Sequence, residues 1–230
     1  MDDAARRKFL QMVASYQNRG DPTGWFEHVY RDAQGDFTAV FWADLAPNPY
    51  LLAWLEDHPG AGAGKRAVTI GCGVGDDAEA LSAHGYQVTA FDIAPAAIEL
   101  CRKRYPDSRV EYRVADLFDH PPDWTRAFDL VFECNTIQVL PGEYRPRALK
   151  AIAEMAAQGG AVLVSCRSRN SGEQADAFPL PLDREEIDGF VRAGLKEEGF
   201  QAYDDDQEPP VPHFFAWYRR PVSAVAESLR

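Results

Sequence analysis

The sequence predicts an α/β fold in which helices cover both faces of a mostly parallel β-sheet, and three observations support this. The middle of the chain alternates short β-branched or apolar runs with longer amphipathic stretches, which is typical of βαβ units. With 230 residues, 46% of them hydrophobic, the chain is large enough to bury one full core. Near the C-terminus, two apolar runs are joined by a link too short for a crossover helix, which predicts an antiparallel final pair.

Seven strands and five helices account for this pattern. The predicted parallel strands cover residues 66–70, 87–91, 110–114, 128–133 and 161–166. The predicted helices start or stop at proline, capping or glycine signals and cover residues 48–57, 76–84, 95–105, 146–157 and 183–197. The last two strands, 200–204 and 214–219, flank an acidic, proline-rich link and form the predicted antiparallel pair.

The first 64 residues differ in composition from the rest of the chain. They contain an aromatic-rich segment with Trp25 and Trp42, and they end in a small-residue linker at 60–64. We therefore expect an N-terminal helical, aromatic cap over residues 1–64 and one compact domain over residues 65–222.

Composition restricts the partners and the compartment. The formal net charge is -12, with 36 acidic and 24 basic residues. Such a surface repels phosphate backbones and anionic lipid, so we expect neither nucleic acid nor a membrane as partner. No apolar run approaches the roughly 20 residues of a membrane span, and the N-terminus lacks a signal-peptide pattern. The four cysteines form no C-x-x-C pair, which predicts reduced thiols, no metal site and a cytoplasmic location.

The strongest local signal is a glycine-rich turn directly after the first predicted strand. Gly71, Gly73 and Gly75 alternate with other residues, Cys72 among them, and a helix pattern follows at once. Glycine suits positions where a ligand lies against bare backbone or where the chain adopts positive φ. The helix that follows offers free N–H groups at its N-terminus. The turn therefore predicts a cofactor-binding site.

Acidic residues follow the next three predicted strands. Asp92 closes the second strand, where a carboxylate can accept hydrogen bonds from both hydroxyls of a ribose. Asp116 follows the third strand and can accept a hydrogen bond from an adenine amino group, and Glu133 ends the fourth strand. Because parallel strands bring their carboxyl ends to one edge of a sheet, we expect these residues to share one crevice.

The same glycine turn separates two cofactor classes. A dinucleotide site favours the pattern G-x-G-x-x-G/A, but the third small-residue position, counted from Gly71, is Asp76. A pyrophosphate would then meet the carboxylates of Asp76 and Asp77, whereas a cofactor with an ammonium group and no phosphate would be tolerated. Gly71, Gly73 and Asp92 would also fit an NAD(P)-dependent oxidoreductase, which is therefore kept as the alternative despite Asp76. A non-catalytic binding protein is a third interpretation.

These motifs resemble those of the class I S-adenosylmethionine (SAM)-dependent methyltransferases. Residues 70–75 are similar to the first motif of that family, 91–93 to its ribose motif, 115–117 to its adenine motif and 128–133 to its fourth-strand motif. The resemblance implies a Rossmann-like three-layer fold with a seven-stranded sheet whose last strand is reversed. It also implies that SAM is the cofactor and that the protein methylates a small molecule.

The resemblance assigns individual residues as well. It implies that the glycine turn faces the methionine part of SAM and that Leu117 offers its backbone to the adenine. Thr69 stands where the family usually has Asp or Glu, and the nearby acids are the candidate substitutes: Asp76, Asp77 and Glu133. The predicted cofactor-binding set is Gly71, Cys72, Gly73, Gly75, Asp92, Ile93, Asp116, Leu117 and Glu133, with Trp25 and Trp42 as a lid.

The methyl acceptor is left open by the sequence. A narrower resemblance, carried by Trp25, Trp42 and residues 132–146, is to the thiopurine, thiol and halide methyltransferases. A thiol, a halide or metalloid anion and a natural-product hydroxyl are therefore all candidates. The predicted acceptor-binding residues are Tyr30, Tyr144 and Arg167, whereas His28 and His213 are expected to be ordinary surface or hydrogen-bonded histidines. No catalytic triad is recognisable, and the catalytic residues stay unassigned.

Overall fold

A seven-stranded β-sheet forms the centre of the molecule. The computed structural model describes residues 3–174 and 178–222. The strands, β1 to β7 in chain order, are Arg66–Ile70, Gln87–Asp92, Glu111–Val114, Phe128–Cys134, Ala156–Arg167, Lys196–Asp204 and Pro212–Arg219. They lie side by side in the order β3-β2-β1-β4-β5-β7-β6. Strands β1 to β5 are parallel, and β7 is antiparallel to both β5 and β6. The predicted Rossmann-like fold with a reversed last strand is confirmed.

Helices flank this sheet. Those in the described part of the chain, α1 to α8, are Asp3–Asn18, Gly24–Asp32, Pro49–Asp57, Asp76–Ala83, Pro95–Arg104, Arg145–Met155, Arg184–Ile187 and Gly189–Arg192. The start of α3 follows the predicted signal, since the Asn48 side chain accepts hydrogen bonds from the N–H groups of Tyr50 and Leu51. Pro49 occupies the first position, where its missing N–H costs nothing.

Apolar side chains pack on both faces of the sheet. Successive residues of a strand point to opposite faces, so Val68 packs in one cluster with Val131, while Ala67 packs in the other with Leu130. Helix α3 contributes Leu51 to the second cluster and therefore shares a core with β1. The boundary at residue 64 between a cap and a compact domain stays a prediction.

Two predicted helices differ from the structure. The helix predicted over 146–157 is α6, which ends at Met155, and the chain passes directly into β5, five residues before the predicted strand. The helix predicted over 183–197 is replaced by α7, α8 and the start of β6. Gly194 has φ +87° and ends α8. Beyond it, pairing with β7 satisfies the backbone groups from Lys196 onwards, so the local helical pattern is overridden.

The N-terminal segment is helical and rich in ring contacts. Phe9 of α1 lies 5.5 Å from Trp25 of α2 and 5.0 Å from Phe41, measured between ring centroids. These contacts join α1 and α2 into one layer at the carboxyl ends of the parallel strands. Among the described helices, none has the length and apolar character needed to cross a membrane.

Candidate active site

A cleft opens where β1, β2, β3 and β4 end, and its volume is about 1170 Å³. The loops that leave these strands form its floor, and aromatic side chains of the N-terminal segment form one wall. Pockets for a single small ligand usually measure about 300–1,000 Å³. The cleft therefore has room for a cofactor and a second small molecule.

The glycine turn after β1 exposes its backbone to this cleft. Gly71, Gly73 and Gly75 have φ values of +57°, +56° and +96°. A Cβ at Gly71 would overlap the Thr136 hydroxyl, and one at Gly75 would lie 2.6 Å from the Tyr112 hydroxyl. A residue with a Cβ at either position would strain the backbone of the turn and displace the neighbouring side chain. Helix α4 begins directly after Gly75, so the predicted strand–turn–helix arrangement is confirmed.

Asp92 joins the glycine turn to the next βα connection. Its carboxylate accepts hydrogen bonds from the N–H of Gly73 at 3.1 Å and from the N–H of Ala94 at 2.9 Å. Cys72, which also lines the cleft, donates its N–H to the Phe91 carbonyl at 2.9 Å. The Asp92 side chain is buried, and burial raises its pKa to about 6 even though these backbone N–H groups oppose the shift. A carboxylate has about four acceptor sites, so Asp92 keeps acceptor capacity for a ligand.

Asp116 and its neighbours lie across the cleft from the glycine turn. The Asp116 carboxylate accepts a hydrogen bond from the N–H of Phe118 at 2.8 Å, which begins a single turn of 3₁₀ helix. Leu117 and Ile93 line the cleft beside it. The structure thus brings Asp92, Asp116, Ile93 and Leu117 to one crevice, as the strand-end pattern predicts.

The acids near Thr69 have separate roles. The Thr69 hydroxyl is buried at the cleft and has no hydrogen-bond partner in the described residues. Asp76 forms a bidentate ion pair with Arg104, with both N–O distances at 2.7 Å. Asp77 accepts a hydrogen bond from the N–H of Asn48 at 2.7 Å and faces the cleft, and burial raises its pKa to about 6. Asp77 is therefore the acid of this turn that is not neutralised by a basic partner.

Glu133 does not reach the cleft, contrary to its predicted position in the cofactor-binding set. Its side chain is fully buried. One carboxylate oxygen accepts hydrogen bonds from the N–H groups of Thr136 at 2.6 Å and Ile137 at 2.9 Å, and the other has no partner in the described residues. Burial raises the pKa of Glu133 to about 7. The residue therefore caps the turn after β4 from inside the core.

The aromatic wall of the cleft consists of side chains from α1, α2, the segment after α2 and the loop after β5. Trp42 donates its indole N–H to the Tyr30 hydroxyl at 3.3 Å, and its ring meets Trp25 edge-on at 5.9 Å. Phe178 closes the wall from the loop after β5, with its ring 5.4 Å from that of Trp25. The members of the wall are Phe9, Trp25, Phe26, Tyr30, Phe41, Trp42 and Phe178. The predicted lid residues Trp25 and Trp42 and the predicted acceptor residue Tyr30 therefore all lie at the cleft.

Polar side chains line the far end of the cleft, over β5, β6 and β7. Asn48 donates a hydrogen bond to the Ser165 hydroxyl at 3.0 Å, and Ser165 lies 3.4 Å from the Tyr203 hydroxyl. Arg167 and His213, which pair across β5 and β7, line the same end. Within the described residues, the Arg167 guanidinium forms no ion pair, so it is free to meet a ligand.

The predicted acceptor residue Tyr144 lies away from the cleft, and so does His28, which was expected to be an ordinary surface histidine. Tyr144 does not line the cleft; its ring packs against Phe118 at a centroid distance of 5.9 Å. His28 is exposed on α2, where its imidazole lies 3.4 Å from the Asp32 carboxylate. Over residues 3–174 and 178–222, no three His, Cys, Asp or Glu side chains are grouped so that they could hold a metal ion.

Sequence reasoning missed several polar residues of the cleft, among them Asn48, Ser165 and Tyr203. Asn48 carries the signal of a helix cap, which it is, but it also faces the cleft. Ser165 and Tyr203 lie inside strands and have no local signal of their own. Only the register of β5, β6 and β7 brings them together, so a single sequence could not have indicated them.

Comparisons with known proteins agree with this geometry. A family profile described as a methyltransferase domain matches residues 67–160. The ubiquinone biosynthesis O-methyltransferase of Bordetella bronchiseptica is 29% identical over 179 residues, which cover 69% of this chain and 73% of the relative. The protein of the same name from Azoarcus sp. is 30% identical over 125 residues, covering 54% of this chain and 52% of the relative.

Solved structures share the fold. The 1,6-didemethyltoxoflavin-N1-methyltransferase of Burkholderia thailandensis, solved with S-adenosylhomocysteine, superimposes with a TM-score of 0.67 at 17% identity, covering 96% of this chain and 92% of that chain. The N-methyltransferase NodS of Bradyrhizobium japonicum, also solved with S-adenosylhomocysteine, has a TM-score of 0.64 at 19% identity, covering 84% and 98%.

Proposed function

We propose that this chain, a class I SAM-dependent methyltransferase that acts on small molecules, transfers the methyl group to a hydroxyl oxygen of a planar, largely apolar acceptor. The observation that carries the proposal is the aromatic wall that continues from the glycine turn to the polar end of the cleft. The relatives named O-methyltransferases favour oxygen as the acceptor atom.

The residues of the cleft fit SAM. In our proposal, Asp92 accepts hydrogen bonds from the ribose hydroxyls, while Asp116, Ile93 and Leu117 surround the adenine. The methionine part lies against the glycine turn, and the unpartnered Thr69 hydroxyl offers it a hydrogen bond. SAM supplies an electrophilic methyl group on a positively charged sulfur when it is bound.

In the family, an Asp or Glu at the position of Thr69 binds the methionine ammonium group, so this chain needs another acid for that role. Asp76 forms an ion pair with Arg104. The Glu133 side chain is buried and accepts its hydrogen bonds from the backbone of the turn after β4. Asp77 remains, because it faces the cleft and no cation neutralises it among the described residues. We infer that Asp77, together with Thr69, takes the place of the family's acidic residue.

The acceptor is proposed to lie against the aromatic wall, with its polar end towards β5 and β7. Flat rings pack well against the edges and faces of Tyr30 and Trp42. Arg167 offers a charge-assisted hydrogen bond to an electronegative substituent. Membership of the thiopurine, thiol and halide group stays a prediction, and it would put a thiol or an anion in the same position. A cytoplasmic location also stays a prediction, in keeping with four free thiols.

The test is an acceptor panel in which release of S-adenosylhomocysteine is measured with catechol, benzenethiol and iodide. Turnover with catechol, at a higher kcat/KM than with benzenethiol or iodide, is the expected result. Turnover with benzenethiol or iodide alone would contradict a hydroxyl acceptor. A parallel calorimetric titration should show S-adenosylhomocysteine binding and no NADH binding, because Asp76 and Asp77 lie where a pyrophosphate would approach the turn.

A further inference from the structure

A second cavity, the side cavity, adjoins the polar end of the cleft and has been assigned no role so far. Its volume is about 720 Å³. The end of β5, the end of β6 and the start of β7 line it, and the loop after β5 contributes Pro179 and Pro181. Arg6, Arg167 and Tyr203 line both the side cavity and the cleft, so the two spaces meet at these side chains. An acceptor bound in the cleft could therefore extend a substituent into the side cavity.

The Arg167 guanidinium lies at this junction without a partner. Arg167 is the last residue of β5 and is half-buried. Its backbone N–H donates a hydrogen bond to the Gln138 side chain at 2.6 Å, but its guanidinium forms no hydrogen bond or ion pair with any described residue. A guanidinium carries five N–H donors and no acceptor. The group can therefore bind a ligand that supplies only acceptors, and a negative charge would strengthen those hydrogen bonds.

A second guanidinium faces the same junction from the N-terminal segment. Arg6 lies on α1, and it too forms no hydrogen bond or ion pair with a described residue. Arg169, which lines only the side cavity, differs because its guanidinium lies 2.6 Å from the Asp183 carboxylate and 2.7 Å from that of Glu186. The junction thus presents two guanidinium groups that no described ion pair neutralises, one from the sheet and one from α1.

The acidic groups around the junction limit the charge of the ligand that it can bind. Asp44 faces Arg167 from beyond ion-pair distance; burial raises the pKa of Asp44, and Arg167 opposes the rise. Asp204 lines the junction from β6, and the Glu173 carboxylate in the side cavity accepts two hydrogen bonds from Asn170, at 3.0 and 2.8 Å. These acids would repel a doubly charged phosphate more than a singly charged carboxylate. A planar carboxylate also matches the parallel N–H groups of a guanidinium.

We propose that the acceptor carries a carboxylate arm that enters the side cavity and binds between Arg167 and Arg6, an inference that rests on the proposed function. The ring of the acceptor lies against the aromatic wall, and the arm points along β5. Arg167 is two strands away from β1, which corresponds to roughly 10 Å at the usual strand spacing. The carboxylate is therefore remote from the transferred methyl group, so it contributes to binding of the acceptor and not to the chemical step.

The first test compares two catechols that differ in the charge of the arm, dihydrocaffeate and its amide. The kcat/KM of the wild type should be about 10- to 100-fold higher for dihydrocaffeate, the scale of hydrogen bonds to charged groups, and most of the difference should lie in KM. Arg167→Gln should lower kcat/KM for dihydrocaffeate by a similar factor and affect the amide far less. Arg6→Gln should act in the same direction. Arg7→Gln, an exposed neighbour on α1 that lines neither space, is the matched control.

The second test does not depend on turnover. Calorimetric titration of the complex with S-adenosylhomocysteine should show that dihydrocaffeate binds more tightly than its amide, and Arg167→Gln should remove this difference. Equal affinities of the two compounds for the wild type would overturn the carboxylate site. A preference for dihydrocaffeate that persists in both Arg167→Gln and Arg6→Gln would also overturn it. Absence of turnover with both catechols would instead refute the hydroxyl acceptor, and the affinities would then decide on the carboxylate site by themselves.

Discussion

The carboxylate of Asp92 shows at the scale of one residue how burial and hydrogen bonding oppose each other. Burial disfavours the charged form, whereas the N–H groups of Gly73 and Ala94 favour it, and the resulting pKa is about 6. The group is therefore ionised at neutral pH but close to its protonated form. Hydrogen bonds from two ribose hydroxyls would add to those from the backbone and favour ionisation further.

This balance predicts that S-adenosylhomocysteine binds more tightly as the pH rises from 5 to 7. At a pH below the Asp92 pKa of about 6, protonation of this carboxylate removes a hydrogen-bond acceptor for the ribose. Asp92→Asn should weaken binding by about 1.5–3 kcal/mol at pH 8, the scale of charge-assisted hydrogen bonds. It should also reduce the pH dependence to the part that comes from Asp77, whose pKa is about 6 as well. Calorimetry across this range measures both effects, with the exposed Asp107→Asn as control. Equal affinities of wild type and Asp92→Asn would exclude the assigned role.

At the scale of elements, the N-terminal helices and the loop after β5 meet through the aromatic wall. Phe9 of α1 and Trp25 of α2 both contact Phe178, at ring-centroid distances of 5.7 and 5.4 Å. Helix α2 also packs on α5, where Tyr30 and Ala33 share an apolar cluster with Leu100. Glu27 of α2 accepts a hydrogen bond from the N–H of Ala96 at 2.9 Å. A ligand that fills the cleft would add contacts to the side chains of the aromatic wall.

We expect S-adenosylhomocysteine to slow amide exchange across residues 24–42. The ligand would pack against Tyr30 and Trp42 and reduce local opening of α2 and of the segment that follows it. Hydrogen exchange measured by mass spectrometry, with and without ligand, reports this change. Helix α6, Arg145–Met155, does not line the cleft and serves as the internal control. If residues 24–42 exchange equally in both states, the segment does not close over the cofactor.

At the scale of the whole molecule, folding buries three acids that lie far apart in the chain: Asp77, Asp92 and Glu133. Burial raises the pKa of each of them. Asp77 and Asp92 have pKa values of about 6, and Glu133 has one of about 7. The folded protein therefore holds protons that the unfolded chain releases near pH 4. By linkage, these groups stabilise the fold at low pH, and their contribution is lost as the pH rises through 6 and 7.

Glu133→Gln isolates the largest of these shifts. The amide cannot ionise, so wild type should lose up to about 3 kcal/mol of unfolding free energy relative to the variant between pH 5 and pH 8. Urea denaturation at several pH values measures the difference between the two proteins. Glu143→Gln, at an exposed site, should follow wild type at every pH. A constant difference between wild type and Glu133→Gln would show that Glu133 does not titrate on unfolding.

Most of the cleft lining at the ends of the parallel strands could be predicted from the sequence because its signals are local. The turn at Gly71, Gly73 and Gly75 and the acids Asp92 and Asp116 follow directly from strand ends, and the topology brings such ends to one edge. The carboxylates around Thr69 could not be assigned in this way. Asp76, Asp77 and Glu133 have similar sequence contexts, and burial and ion pairing distinguish them only in three dimensions.

The chain's own pattern thus determined the order of the parallel strands, the helices between them and the glycine turn, because each depends on residues that are neighbours in sequence. The tertiary structure alone decided that Tyr144 lies outside the cleft and that His213 lies inside it. It also decided that β6 begins at Lys196, where a helix was expected. These outcomes depend on the pairing of β7 with β5 and β6, which joins residues far apart in the chain and supplies backbone partners that no local propensity can match.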